Sequence, residues 1–392
     1  MNASPVLRPF RAWAVACLGL VLLAGVWMRG ILMGRDWGLG TNFTFDRHAH
    51  SHLAFFGWVT LALMGAIAAS LPGAASRRAR LRVVAHAVGV AALAAFASFL
   101  HGGYDGASIA VSFVHVVLWV VFTLLAWGPL GVSGERSRGF FRGALVMLCL
   151  AGASTMGPAF VLAAHVTDPW VREATVKLFL GIFIGGWMGL GAMGIAYAYV
   201  DRARFDRAAL ALTLAGVVPA ALLHAKATPP LAWLTWVGRA GTLLLGAGAV
   251  LFALDLLRSR RIPALLQVAA LAALVQGTLQ LLAGAGVGAA LLRSPPVVIA
   301  WLHLVLVGVV TPVLLVGLGL ATRAFWAVAA LIAGLVVMLL SLVAMGWPAF
   351  GGVVAGQGVD VTALLRAAFA GGLLAAVGLL AMVVPVFRRA DG

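Results

Sequence analysis

Three histidines, His48, His50 and His52, enter an otherwise apolar run that continues through Leu53-Ala54-Phe55-Phe56-Gly57-Trp58. A fourth, His303, stands in another apolar run near the far end of the chain. Imidazole is expensive to place at the mouth of a membrane helix, so it usually marks a functional site there. Two imidazoles presented at equal depth from facing helices, with small residues nearby, can hold a haem iron along its axis. His52 and His303 meet this requirement on paper. Both fall roughly 10 Å inside one end of their run at about 1.5 Å per residue, and each is followed five residues later by a glycine, Gly57 or Gly308. A single histidine in either place would be read as a hydrogen-bond bridge between helices; the pair favours the haem.

The spacing recurs a third time. Gly181-Ile182-Phe183-Ile184-Gly185-Gly186-Trp187 can be laid on the stretch from His52 to Trp58, with Met64/Met193 and Gly65/Gly194 also in phase. The offsets from His52 to Gly181 and from Gly181 to His303 are 129 and 122 residues, each close to a third of the chain. This predicts a threefold repeat over approximately 1–132, 133–258 and 259–392 whose marked position reads His, Gly, His.

The elements that must position these residues follow from composition. Hydrophobic residues make up 63% of the 392, charged residues 10%, and the mean hydropathy is +1.09. No water-soluble globule of this length has that balance, so the expected fold class is all-α, a polytopic membrane protein whose partner is the lipid bilayer. Apolar runs of spanning length lie near 10–33, 47–72, 81–101, 107–131, 140–165, 170–200, 207–224, 230–256, 262–292, 296–322, 324–346 and 361–387, which predicts twelve transmembrane helices in a single membrane domain, 1–392. The first run is too long, and too poor in a small-residue cleavage site, for a signal peptide. The net charge of +16 does not indicate nucleic acid, because the arginines fall between apolar runs as they do in cytoplasmic loops. Cys17 and Cys149 lie inside apolar runs and lack the spacing of a disulfide framework or a thiolate metal site.

Twelve spans return both termini to one side. Eighteen of the 27 Lys and Arg residues fall on that side, which the positive-inside rule assigns to the cytoplasm of a plasma or inner membrane. His48, His50 and His52 then open helix two at the outer face. His101, His165 and His224 lie at the outer ends of helices three, five and seven, His115 and His303 lie about two turns inside helices four and ten, and only His86 belongs to the inner half. His48 is one turn from His52 on the same face, where it serves as a metal ligand, a partner for haem propionate or an interfacial residue; His50 points roughly the other way. Arg29, Arg35, Arg47 and Trp37 share the outer surface, where cations suit propionates or simply snorkel. Glu173 and Lys177, four apart with the acid first, read as a structural ion pair.

Twelve helices in three quasi-repeats of four, with candidate haem histidines on helices two and ten, resemble the catalytic subunit of the haem-copper oxidase superfamily. The string His50-Ser51-His52-Leu53-Ala54-Phe55-Phe56-Gly57 is similar to the His-x-His-Leu-x-x-x-Gly pattern of its cbb3-type oxidase and nitric oxide reductase branch. In that branch the string belongs to helix ten, whereas here helix ten carries His303 with Trp301 two residues before it. The resemblance implies one low-spin haem b between His303 and His52, or else His50. It also implies a high-spin haem hung from the position of Trp301, a metal ligand at Gly181 and a histidine pair on helix seven, where only His224 stands. The expectation is therefore a membrane b-type cytochrome without the binuclear centre and without copper or non-haem iron. Such a protein would serve electron transfer or the binding of nitric oxide or oxygen, with an electron-donor cytochrome or partner subunit. Two other readings stand beside it: a working oxidase or reductase whose metal is held by His48, His101, His115, His165 or His224, and a cofactor-free transporter.

Overall fold

The computed structural model describes residues 6–34, 42–72, 74–132, 135–224, 231–259, 261–288, 294–320, 324–347 and 361–388. Arg35, Trp37, Lys226, Arg260, Arg293, Arg323 and Arg389 lie outside the described residues, as does the side chain of His224. Every regular element among the described residues is helical, and twelve helices are long and apolar enough to cross a membrane. They are α1 (Leu7–Leu32), α2 (Phe43–Ser70), α3 (Ala75–Gly102), α4 (Gly106–Trp127), α5 (Arg136–Ala163), α6 (Pro169–Tyr197), α7 (Asp206–Leu223), α8 (Ala232–Arg258), α9 (Ala264–Gly284), α10 (Pro295–Gly317), α11 (Phe325–Gly346) and α12 (Val361–Val384). The protein is an all-α, multi-pass membrane protein.

Capping chemistry, not hydropathy, sets several helix starts. The Asn42 side chain accepts the Thr44 N–H at 2.9 Å, which begins α2 four residues ahead of its apolar run. Asp168 accepts the Val171 N–H at 3.0 Å just before Pro169 opens α6. At α4 the Asp105 carboxylate accepts the Ser108 N–H at 2.8 Å. That bond holds its carboxyl below the ordinary carboxylate range.

Among the described residues, three helices contain a stretch of π-helix, a geometry that is rare and concentrated at functional sites. The stretches are Leu53–Val59 in α2, Ile182–Leu190 in α6 and Leu304–Val310 in α10. Each begins at the residue after His52, Gly181 or His303, and each encloses the glycine five positions on, Gly57, Gly186 or Gly308. In α2 the wider turn is closed by Thr60, whose hydroxyl donates to the Phe55 carbonyl five residues back at 2.8 Å.

The chain divides into two compact units. One comprises 1–69, 73–118 and 294–392 and so carries α1, α2, α3, most of α4, and α10 to α12; the other, 70–72 and 119–293, carries α5 to α9. In the first, α11 and α12 touch backbone to backbone at Gly334 and Gly371, where a Cβ on Gly371 would stand 2.7 Å from the Gly334 carbonyl oxygen. In the second, Gly246 and Gly277 bring α8 and α9 together in the same way, each barring a Cβ from the other at 2.8 Å. Close approach of this kind is how membrane helices gain contact energy without a hydrophobic driving force. It accounts for much of the chain's glycine content.

Candidate functional site

The first unit contains a cavity of about 150 Å³ bounded by α1, α2, α10, α11 and α12. Its polar lining consists of Arg29, His50, Ser51, His303, Thr311 and the Trp58 indole, set among leucines, valines, alanines, glycines, Phe55 and the sulfur of Met338. His50 and His303 are thus brought together in one mostly apolar space. The His303 Nδ1 donates to the Ile299 carbonyl one turn earlier at 2.8 Å, so the lone pair is on Nε2. This is the arrangement by which a second hydrogen bond fixes the tautomer and aim of a ligating imidazole. His50 packs into a notch left by Gly25 on α1, where a Cβ would come within 3.2 Å of its Cε1. Its Nδ1 is buried without a hydrogen-bond partner.

Arg29 reaches into the same space. Its Nη1 donates to the Gly25 carbonyl at 3.1 Å, and its Nη2 stands 3.3 Å from His303 Nε2 and 2.8 Å from Met338 Sδ. Gly372 on α12 gives the guanidinium room, since a Cβ there would lie 3.2 Å from Cζ. The sequence placed Arg29 at the outer surface, as a partner for propionates or a snorkelling cation, and not beside His303. No sequence signal marked Met338.

His52 faces elsewhere. Its ring stacks on Phe99 with centroids 3.9 Å apart and meets Phe56 and Tyr104 edge-on at 5.1 and 5.7 Å. His48, one turn outward, lies 4.6 Å from Tyr104, and Arg47 is exposed. On the far side of Phe56, fully buried His115 donates from Nδ1 to the Val111 carbonyl at 3.1 Å. The geometry therefore brings His50, not His52, into one cavity with His303, whereas repeat phase favoured His52 on helix two. Gly57 also lies off the cavity: it faces Cys17 of α1, with 2.8 Å from its would-be Cβ to Sγ. Gly308 is buried inside its π stretch.

No family model matches the chain, and no curated protein matches it. The site therefore has to be read from its own geometry.

In the second unit, the position equivalent to the two histidines is filled. A Cβ on Gly181 would be 3.0 Å from the Ala221 Cβ, Gly185 faces Val217 and Leu245, and Gly186 faces Met147. His165 is exposed, as His101 is in the first unit, and no three His, Cys, Asp or Glu side chains among the described residues gather to hold a metal ion.

For a haem iron, the donor set fits. Two imidazoles share the cavity, one with its tautomer fixed and the other carrying a buried nitrogen without a partner. The walls are apolar and notched by Gly25 and Gly372. The free volume of about 150 Å³ equals a void that admits benzene, so a macrocycle enters only as side chains part. Arg29 is the first that must move, because it occupies the His303 lone pair.

Proposed function

We propose that the protein is a b-type membrane cytochrome of oxidase-like architecture, with one haem held between His50 of α2 and His303 of α10, and that it transfers electrons. The observation that supports this most is the meeting of these two imidazoles in one apolar cavity, His303 immediately ahead of one π-helical stretch and His50 three residues ahead of another. A bound haem supplies reversible one-electron exchange at its iron. The protein's part is to fix both imidazoles, exclude water with the apolar walls, and offer a cation near the cavity mouth.

Electron transfer is preferred to gas binding for a structural reason. His50 and His303 would both be engaged in holding the haem, and the Gly181 face is packed against α7, which leaves no room there for a second reactive centre. Both termini are assigned to the cytoplasm by the arginine distribution, and a donor cytochrome or partner subunit is expected at one membrane face. An oxidase or reductase with unusual metal ligands and a cofactor-free carrier become outcomes of the test.

That test is the optical spectrum of the purified, dithionite-reduced protein and of three variants. Low-spin haem is expected in the parent and in His52→Ala, and loss of haem or a high-spin spectrum is expected in His50→Ala and His303→Ala. A colourless parent favours the carrier. Haem lost in His52→Ala but kept in His50→Ala returns the ligand to the other face of α2, and oxygen or nitric oxide turnover favours the enzyme.

A further inference from the structure

Asp46 is 3% exposed, and neither of its carboxylate oxygens has a hydrogen-bond partner. A buried carboxylate in that condition is costly unless a cation joins it. Its place on the seam between α1 and α2 shows which cation is at hand. Phe10 faces Gly65, Cys17 faces Gly57 and Gly25 faces His50, three antiparallel pairs whose residue numbers total 74 or 75. Continued by one turn, the same sum places Arg29 and Asp46 (75) at one level of the seam, Arg29 one turn beyond Gly25 and Asp46 one turn beyond His50. The guanidinium, however, is turned inward to His303 and Met338.

The His303 Nε2 lone pair serves one partner at a time. If another ligand takes it, Arg29 needs a new acceptor, and a carboxylate at the same level of the seam is a stronger one than imidazole or thioether. The space for the movement exists, because Gly25 and Gly372 leave the guanidinium without a Cβ on either flank, at 3.4 Å from Nη1 and 3.2 Å from Cζ.

We propose that Asp46 is a positioning residue for Arg29: it draws the guanidinium off His303 toward the cavity mouth and so opens the Nε2 lone pair to a ligand. The identity of that ligand rests on the haem reading; the Arg29–Asp46 exchange does not.

The test uses full-length protein from a haem-deficient host and has two arms. In the first, thermal unfolding is measured without haem. Asp46→Asn should raise Tm while His303 holds Arg29, because it removes an unpaired buried charge, but in a His303→Ala background, where Arg29 has turned to Asp46, it should lower Tm by roughly 2–4 °C. Adding Arg29→Gln should erase the difference. An equal penalty in both backgrounds, or one that persists without Arg29, overturns the exchange. In the second arm, ferric haem is titrated into the protein. Asp46→Asn should weaken binding about tenfold, Asp46→Glu should retain it, and Asp46→Asn should cost nothing further once Arg29→Gln is present. If the parent binds no haem, the haem reading fails while the first arm still decides the exchange. If Asp46→Asn does not fold, the same comparison is made with Arg29→Gln, whose penalty should persist in the His303→Ala background and vanish only when Asp46 is also replaced by leucine; persistence there overturns the proposal.

Discussion

The π stretch of α2 is joined to Thr311, the first residue beyond the π stretch of α10, by a buried hydrogen bond from Trp58 Nε1 to Thr311 Oγ1 at 3.1 Å. Both residues are 3% exposed and both line the cavity. Thr311→Val keeps the shape of the side chain and removes the acceptor, so the indole N–H is left buried and unsatisfied. The cost of such a group is about 1–3 kcal/mol, which corresponds to a fall in Tm of a few degrees at roughly 2–4 °C per kcal/mol. Thr311→Ser keeps the oxygen and loses one methyl, at about 0.8 kcal/mol, so the valine variant should be the less stable of the two although it is the more apolar. In a Trp58→Phe background the donor is already gone, and Thr311→Val should then cost less by about 1 kcal/mol, the coupling expected of groups in direct contact. The assay is thermal unfolding in detergent, with the reduced spectrum recorded on the same samples. A valine variant as stable as the parent, or more stable than the serine variant, would refute the view that this bond ties the two histidine helices together.

Two further outcomes follow from the packing. Gly57→Ala places a Cβ 2.8 Å from Cys17 Sγ and 2.9 Å from its Cβ; overpacking of this kind costs about 1–3 kcal/mol, and a second change, Cys17→Gly, should recover part of the loss in a melting experiment. The Asp105 cap should give a pH dependence of one sign. Its carboxyl is lowered chiefly by the Ser108 N–H, so its contribution to stability is complete above the unfolded value of about 3.9 and is lost as pH falls through the lower folded value. Asp105→Asn should flatten the acid limb of a stability profile, and an unchanged limb would remove the cap from the explanation.

The membrane fold was legible because hydropathy over roughly 20 residues survives any detail of packing, and His303 could be singled out because α10 has no other histidine. Which of His50 and His52 shares a cavity with it could not. Two residues along a helix are about 200° around it, and α2 is apolar and buried on nearly every side, so its composition does not say which face meets α1 and α10. The deciding feature is a notch on another helix, Gly25, which is long-range information. The same holds for Arg29: an arginine three residues from a helix end looks like a snorkelling residue until a histidine from α10 and a methionine from α11 appear beside its guanidinium. The π stretches left one trace in the sequence, the recurring five-residue step to a glycine, but a step alone does not identify a change of helical pitch.

That change of pitch gives α2 an uneven response to length. The π stretch holds about one residue more than ordinary helix would over the same rotation, so a residue lost from Leu53–Val59 lets the wide turn relax while the amino-terminal side stays in phase with Thr60. A residue lost from the ordinary helix just before it, Ser51 or His52, would instead turn His50 by about 100° relative to Trp58 and take it out of its notch on α1. Either deletion leaves a helix of nearly the same span, composition and hydropathy as the present 28 residues, so a hydropathy profile would not tell the harmless loss from the one that dismantles the cavity.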